Sequence, residues 1–252
     1  MNDVAVLHGA EPFSAPGGPH GALVLHGFTG NPQSMRGLAM TLAGAGFAVE
    51  LPRLPGHGTS VDDMLTTRWA DWSGAVEAAY LELAGRCERI VVTGLSMGGT
   101  LAVWLATRHP EIAGLAVVNP VVEPLDSSIV DLARDLLAKG EAFMPGVGSD
   151  IADPSQSELA YELTPIESLL SLAEALDDLQ PRLGAVTEPV LILNAPQDHV
   201  VPPSSSDRLA ERVGGAVDRV TLEQSFHVAT LDYDRELIER RVVEFARAVT
   251  NG

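Results

Sequence analysis

The stretch VVTGLSMGGT (residues 91–100) begins with β-branched residues and then has a serine flanked by glycines. The pattern Gly94-x-Ser96-x-Gly98 can hold a serine on a sharp turn between a strand and a helix, with its hydroxyl presented to an acyl carbon. Glycine suits both flanking positions because a side chain there would collide with the neighbouring backbone. The stretch therefore predicts nucleophilic acyl-transfer chemistry at Ser96.

A serine hydroxyl is a weak nucleophile unless a base removes its proton, so this chemistry also needs an imidazole and a carboxylate that orients it. Behind a turn of this kind, the acid and then the histidine follow the serine, each in a loop after a late strand. Asp198 follows the apolar run PVLILNAP (189–196), and His227 follows DRVTLE (218–223). Asp198 is therefore the candidate orienting acid, and His227 is the candidate base.

Other interpretations of these loops stay open. His26 and His57 fall in early loops near the same edge of the predicted sheet, but neither has the late-strand position of the base. Asp198 has an alternative role as the cap of a turn, which its position directly after a strand disfavours. His199 is expected to be structural, because neighbouring side chains of an extended chain point to opposite sides.

Attack on a carbonyl produces an oxyanion, which backbone N–H groups stabilise when they are already aimed at it. The residue after the nucleophile, here Met97, supplies one such group, and the loop after the early strand GALVLHG (21–27) supplies the other. Gly27 lets this loop turn inward, which makes the N–H of Phe28 the second candidate donor. The alternative interpretation of HGFTG is a glycine turn without a catalytic role.

These residues need a scaffold that brings distant loops to one edge, and the hydrophobic pattern predicts one. Short β-branched runs alternate with segments whose apolar residues recur at three- and four-residue steps. This alternation is typical of an α/β fold, a mostly parallel sheet flanked by helices on both faces. We predict one such domain from residues 1–120 and 166–252. The predicted strands span residues 21–27, 47–52, 89–94, 114–120, 189–196 and 218–223.

The alternation is interrupted once, where about 70 residues separate the fourth predicted strand from the fifth. One crossover helix does not need so long a connection. The connection contains an amphipathic helix that begins near Leu125, then the stretch MPGVGSDIADPSQSE (144–158). We interpret residues 121–165 as a lid over one end of the sheet, because so short a segment cannot hold a core of its own.

Composition argues against several classes of partner. The formal net charge of −18 opposes binding to nucleic acid and to anionic bilayers, which both select a basic face. A single cysteine excludes an internal disulfide, and no spacing is typical of a zinc site. The first residues do not resemble a secretory signal, and no stretch approaches the ~18 apolar residues of a membrane span, which predicts a cytoplasmic protein.

Five motifs resemble those of a known family in this order: LHGFTG, LPGHGT, GLSMGG, QDHVVPP and SFHVATLDYD. The chain is similar to bacterial monoacylglycerol lipases, which are α/β-hydrolases related to small carboxylesterases. The resemblance implies hydrolysis of a monoacylglycerol, without a metal or cofactor, by Ser96, Asp198 and His227. It also implies that Phe28 and Met97 donate to the oxyanion.

The resemblance extends into the predicted lid, where GSDIADPSQSELAYELTP (148–165) is similar to the family's segment that meets the glycerol end of the substrate. By matching position, it implies that Glu158 accepts hydrogen bonds from glycerol hydroxyls and that Val147 shapes the pocket nearby. A carboxylate only accepts hydrogen bonds, so it suits a diol. The alternative for Glu158 is a solvated surface charge.

Other functions stay open on the sequence alone. One is a broad carboxylesterase or thioesterase for short- to medium-chain acyl esters, and another is a non-catalytic ligand-binding module on the same fold. The apolar lid helix is a candidate for transient contact with a lipid surface. The oligomeric state is not predicted.

Overall fold

A mostly parallel sheet with helices on both faces forms the centre of this computed structural model, which describes residues 4–251. In chain order, the strands are β1 (Phe13–Ala15), β2 (His20–Leu25), β3 (Ala48–Leu51), β4 (Arg89–Leu95), β5 (Gly114–Val118), β6 (Phe143–Pro145), β7 (Leu163–Pro165), β8 (Val190–Asn194) and β9 (Val217–Thr221). The helices are α1 (Arg36–Gly44), α2 (Val61–Met64), α3 (Trp69–Ala84), α4 (Met97–Ala106), α5 (Ser127–Ala138), α6 (Ile166–Leu179), α7 (Ser204–Arg212) and α8 (Arg235–Thr250).

The main sheet has the strand order β1-β3-β2-β4-β5-β8-β9. Every neighbouring pair from β3 to β9 is parallel, and β1 pairs antiparallel with β3. The central strand β4 places Gly94 opposite Leu25 of β2 and Val117 of β5. Because the carboxyl ends of parallel strands meet at one edge, the loops after β2, β4, β5, β8 and β9 converge there. The predicted α/β fold is confirmed.

Hydrophobic cores lie on both faces of the sheet. Along β4, Ile90 and Val92 belong to the core that also contains residues of α3, α4, α6 and α7, whereas Val91 belongs to the core that contains residues of α1 and α8. This alternation follows from the two-residue period of a strand, which sends successive side chains to opposite faces. Burial of both faces explains why the central strands β4, β5 and β8 appear in the sequence as mostly apolar runs.

The first helix begins as the sequence predicts, with one difference. Asn31 caps it, since its side-chain oxygen accepts the N–H of Gln33 at 3.0 Å, and Pro32 occupies the first helical position. The opening turn, Pro32–Met35, is a 3₁₀ turn, and α-helical geometry begins only with α1. A capped proline turn of this kind is tighter than an α-helix.

Residues 121–165 contain α5 and the antiparallel hairpin β6–β7, which pairs Phe143 with Pro165. The sequence predicts the helix but not the hairpin. Within α5, Ala133 is the one buried side chain, so most of the helix surface is exposed. The role of this segment as a lid remains a prediction.

Among residues 4–251, no helix combines the length and hydropathy that crossing a membrane requires.

Candidate active site

Ser96 lies on the sharp turn between β4 and α4. Its φ is 55° and its ψ is −121°, a conformation that is strained for a residue with a side chain. The turn is held in place on both sides. The Ser96 N–H donates to the Val118 carbonyl of β5 at 3.0 Å, and the Gly99 N–H donates to the Ser96 carbonyl at 2.8 Å.

Glycine is required at two positions beside this turn. A Cβ at Gly94 would lie 2.2 Å from the Gly98 backbone, and a Cβ at Gly98 would lie 2.3 Å from the Leu25 carbonyl oxygen. Strand β2, strand β4 and the start of α4 therefore pack backbone against backbone. The prediction that Gly94 and Gly98 must lack side chains is confirmed.

The loops after β8 and β9 bring Asp198 and His227 into direct contact. His227 Nδ1 lies 2.7 Å from Asp198 Oδ2, and both side chains are almost fully buried. A carboxylate only accepts hydrogen bonds, so Nδ1 carries the hydrogen and Nε2 keeps a free lone pair. The second oxygen, Asp198 Oδ1, accepts the N–H groups of Val200 and Val201, each at 2.8 Å. Asp198 thus sets the tautomer and the orientation of the imidazole.

Asn119, which the sequence analysis does not single out, joins the serine turn to these two loops. Its Nδ2 donates to the His227 carbonyl at 2.8 Å, and its Oδ1 accepts the Ala195 N–H at 2.8 Å. It directly follows Val118, the hydrogen-bond partner of Ser96.

Within residues 4–251, no hydrogen bond joins Ser96 Oγ to the His227 ring. Such bonds are often long or absent until substrate is bound.

The loop after β2 lies against the serine. A Cβ at Gly27 would be 3.4 Å from Ser96 Cβ, at the limit of ordinary van der Waals contact, so the backbone of the loop lies directly beside the serine. The N–H groups of Phe28 and Met97 donate to no acceptor within the described chain. Met97 opens α4, where the first N–H groups have no intrahelical partner. Two free donors beside a serine can stabilise negative charge on an oxygen held between them.

His26 and His57 are buried next to this loop, with ring centroids 5.1 Å apart. His26 Nε2 accepts the Leu54 N–H at 3.1 Å, which leaves Nδ1 to donate to the Gly27 carbonyl at 3.0 Å. His57 Nδ1 lies 3.0 Å from the Pro55 carbonyl and donates to it. These contacts support the backbone of the site and give both histidines a structural role.

The burial of these rings predicts a specific dependence of stability on pH. Desolvation lowers the pKa of His57 to about 4 and that of His26 well below 6.5. Below pH 6.5 the unfolded chain binds protons at these histidines while the folded chain does not, so protonation favours unfolding. Each histidine removes about 1.4 kcal/mol of unfolding free energy per pH unit until its folded pKa is reached.

We therefore expect the unfolding free energy, measured by urea denaturation from pH 7 to 4.5, to fall less steeply in His57→Gln than in the wild type. The glutamine amide retains a donor for the Pro55 carbonyl but does not titrate. Carboxyl groups titrate in both proteins, so their contribution cancels in the difference between slopes. Equal slopes would contradict the assignment of a neutral, buried His57.

The carboxylate of Glu158 lies over the loop after β2. A Cβ at Gly30 would be 2.6 Å from Glu158 Oε1, so the glycine makes room for this carboxylate. Desolvation raises the pKa of the Glu158 carboxyl, and the nearby His227 opposes that effect. Glu158 thus lies beside the serine and histidine loops. Val147 is exposed, and its predicted contact with substrate remains a prediction.

The segment that carries Glu158 is bonded to the loop after β2. The Tyr161 N–H donates to the Thr29 carbonyl at 3.2 Å. Gln33 makes two bonds with the segment, since its Nε2 donates to the Ser157 carbonyl at 3.0 Å and its Oε1 accepts the Leu159 N–H at 3.1 Å. The segment is therefore held close to the candidate oxyanion donor Phe28.

The same segment is bonded to the loop of His227 by two aspartates that the sequence analysis does not identify. Asp150 accepts the N–H of His227 at 3.1 Å. The fully buried Asp232 accepts the N–H groups of Ala152 and Phe226 at 2.8 and 2.9 Å. Asp232 lies in the motif SFHVATLDYD, which is the one signal that could have drawn attention to it.

The chain is similar to a protein family and to characterised relatives. Residues 19–234 match the Hydrolase_4 family, described as serine aminopeptidase, S33. The chain is 45% identical over 243 residues to the thermostable monoacylglycerol lipase of Bacillus sp. strain H-257, with 95% of each chain covered. It is 27% identical over 238 residues to a carboxylesterase of Bacillus subtilis strain 168, with 93% of this chain and 95% of the relative covered.

Two solved structures are also similar. One belongs to work on LipS and LipT, two metagenome-derived lipolytic enzymes, and matches with a TM-score of 0.93 at 41% identity over 97% of this chain and 100% of that chain. The other is the monoacylglycerol lipase of Paleococcus ferrophilus, with a TM-score of 0.78 at 21% identity over 94% and 97% of the two chains. At that identity, the second likeness shows a shared fold.

Proposed function

Because the chain belongs to the Hydrolase_4 family of α/β-hydrolases, we propose that it cleaves monoacylglycerols to glycerol and fatty acid through an acyl-enzyme on Ser96. The family and the lipase relative at 45% identity make the chain a serine ester hydrolase, and they confirm the resemblance drawn from its motifs. The proposal adds the substrate and the role of each residue.

In the first half of the proposed reaction, Ser96 Oγ attacks the ester carbonyl while His227 Nε2 takes the hydroxyl proton. The hydrogen bond between His227 Nδ1 and Asp198 supports this assignment, because it leaves Nε2 as an acceptor and stabilises the imidazolium that forms. The free N–H groups of Phe28 and Met97 receive the oxyanion. His227 then gives its proton to the departing glycerol oxygen.

In the second half, His227 accepts a proton from water, and the resulting hydroxide attacks the acyl carbon on Ser96. The same two N–H groups receive the second oxyanion. Return of the proton to Ser96 Oγ releases the fatty acid and restores the starting state. Every proton in this cycle moves through one imidazole nitrogen.

The observation that carries the choice of substrate is the position of Glu158. Its carboxylate lies against Gly30, next to the candidate oxyanion loop, and is close enough to His227 for their charges to interact. The leaving group of a monoacylglycerol has two free hydroxyls, which can donate to a carboxylate. Bonds to an ionised acceptor are stronger than neutral ones, so Glu158 would favour glycerol over an apolar alcohol.

We assign the acyl chain to the side of α5. This amphipathic helix exposes Ile129 and Leu132, whose relative exposures are 43% and 51%. In the proposed enzyme, α5 walls the acyl channel and touches a lipid surface transiently as substrate is loaded. The net charge of −18 would favour neutral lipid surfaces over anionic ones.

The test is a hydrolysis profile of the wild type and Glu158→Gln on monoacyl-, diacyl- and triacylglycerols of graded chain length, with matching p-nitrophenyl esters. We expect the wild type to prefer monoacylglycerols. In Glu158→Gln, kcat/KM for monoacylglycerol should fall by about 10- to 100-fold, since bonds to a charged group contribute roughly 1.5–3 kcal/mol. Hydrolysis of the p-nitrophenyl ester should change little.

Glu162→Gln is the matched control, because it removes an exposed carboxylate four residues away on the same segment. It should leave both activities unchanged. A Glu158→Gln variant that keeps the wild-type preference for glycerol esters would remove the argument for a glycerol site. Equal wild-type activity on all short acyl esters would instead favour the broad carboxylesterase.

A further inference from the structure

We propose that Asp150 is a positioning residue, which holds the loops of Asp198 and His227 together from outside the core of the fold. The inference rests on the proposed function, because it concerns the geometry of the same acid and base. Asp150 lies between β6 and β7, in the segment interpreted as a lid, and its side chain is only 15% exposed.

The carboxylate of Asp150 joins the two loops directly. Its Oδ2 accepts the backbone N–H of His227 and the backbone N–H of His199, each at 3.1 Å. Its Oδ1 lies 2.9 Å from His199 Nδ1, and its carbonyl accepts the Val228 N–H at 3.0 Å. One side chain therefore bonds the base and the residue that follows the acid.

These bonds act on a part of the site that lies outside the sheet. Asp198 and His227 both lie in loops, several residues past the ends of β8 and β9, so the sheet does not fix them directly. By holding the N–H groups of His199 and His227 on one oxygen, Asp150 limits how far the two loops can separate. The short bond between Asp198 and His227 depends on that separation.

A second carboxylate makes the attachment reciprocal. Asp232 Oδ1 accepts the N–H groups of Asp153 and Tyr233 at 3.0 and 2.8 Å, in addition to the two bonds that its Oδ2 makes with Ala152 and Phe226. Asp150, in the segment between β6 and β7, thus bonds the loop of His227, and Asp232, which follows His227, bonds that segment in turn. A displacement of residues 150–153 would therefore be transmitted to His227.

The test compares Asp150→Ala, Asp150→Glu and the control Asp153→Ala, with a p-nitrophenyl ester as substrate so that the glycerol site is not involved. Asp153 is on the same segment, but among the described residues its carboxylate bonds only to Ser155, two residues away. In Asp150→Ala the N–H groups of His199 and His227 lose their shared acceptor. We expect kcat to fall by about 10- to 100-fold with KM nearly unchanged, because small displacements of reacting groups are costly.

Asp150→Glu keeps the acceptor oxygens but moves them by one methylene, so kcat should again fall with KM nearly unchanged. Asp153→Ala should behave as the wild type. If circular dichroism shows that Asp150→Ala is not folded, Asp150→Glu decides the question. Wild-type kcat in the folded variants would overturn the inference while leaving the proposed function intact. A wild type that hydrolyses no ester would overturn the proposed function itself.

Discussion

Replacement of Ser96 with alanine should abolish almost all ester hydrolysis, with kcat lower by about 10⁶-fold. Losses of this order follow removal of the nucleophile from serine triads, because the remaining groups cannot form a covalent intermediate. The fold should survive, since the Ser96 N–H and carbonyl make the bonds that hold the turn and alanine keeps both. The measurement is the steady-state rate on a monoacylglycerol, together with the extent of labelling by a fluorophosphonate.

Ser73→Ala is the matched control for this variant. Ser73 is also buried, but among residues 4–251 its hydroxyl bonds only the Ala70 carbonyl within α3, at 3.4 Å. It should keep both the wild-type rate and the fluorophosphonate label. Substantial turnover by Ser96→Ala, or a label that persists in it, would refute the assignment of Ser96 as nucleophile.

Replacement of Asp198 with asparagine should lower kcat by about 10⁴-fold without loss of structure. The asparagine carbonyl oxygen can still accept the N–H groups of Val200 and Val201, so the loop keeps its shape. The amide nitrogen would then donate to His227 Nδ1 in place of the carboxylate. That bond places the imidazole hydrogen on Nε2, where it prevents uptake of the proton from Ser96.

This prediction is checked by the steady-state rate and by thermal unfolding of Asp198→Asn beside Asp207→Asn. Asp207 lies on α7 and pairs with Arg219 at the surface, so its variant changes the net charge equally without touching the site. A loss smaller than tenfold in Asp198→Asn would mean that another group orients His227. Equal losses in the two variants would point to an effect of charge alone.

The parts of the fold that the sequence predicts are those with a repeated hydrophobic pattern. All six predicted strands are present within a few residues of their predicted ends. Strands β2, β3, β4, β5 and β8 are mostly buried, which leaves largely apolar runs in the sequence, whereas the edge strand β9 is mostly exposed. Strand β1 has only three residues, Phe13–Ala15, and is too short for any period to show. Helix α7 begins with three serines and buries little apolar surface, so its pattern is weak.

The candidate site also contains some residues that the sequence predicts and others that it does not. The positions of Ser96, Asp198 and His227 follow from chain order and from the loops of a parallel sheet, which can be anticipated without coordinates. Asn119 and Asp150 act on backbone groups that are 49 or more residues away in the chain. A carboxylate or amide that bonds a distant peptide group leaves no spacing in the sequence by which to recognise it.

Residues 148–161 are hydrogen-bonded to two different loops, and these bonds limit how segments can be exchanged between members of this family. Residues 148–161 span from the loop after β2, through Thr29 and Gln33, to the loop of His227, through Asp232. If this segment were replaced by that of a relative, its hydrogen-bond partners in both loops would have to be compatible with it. A mismatch would displace the candidate oxyanion donor in the loop after β2 or the imidazole of His227. A change of substrate selectivity by segment exchange should therefore require three stretches from the same relative: residues 148–161, the loop after β2 and the loop of His227.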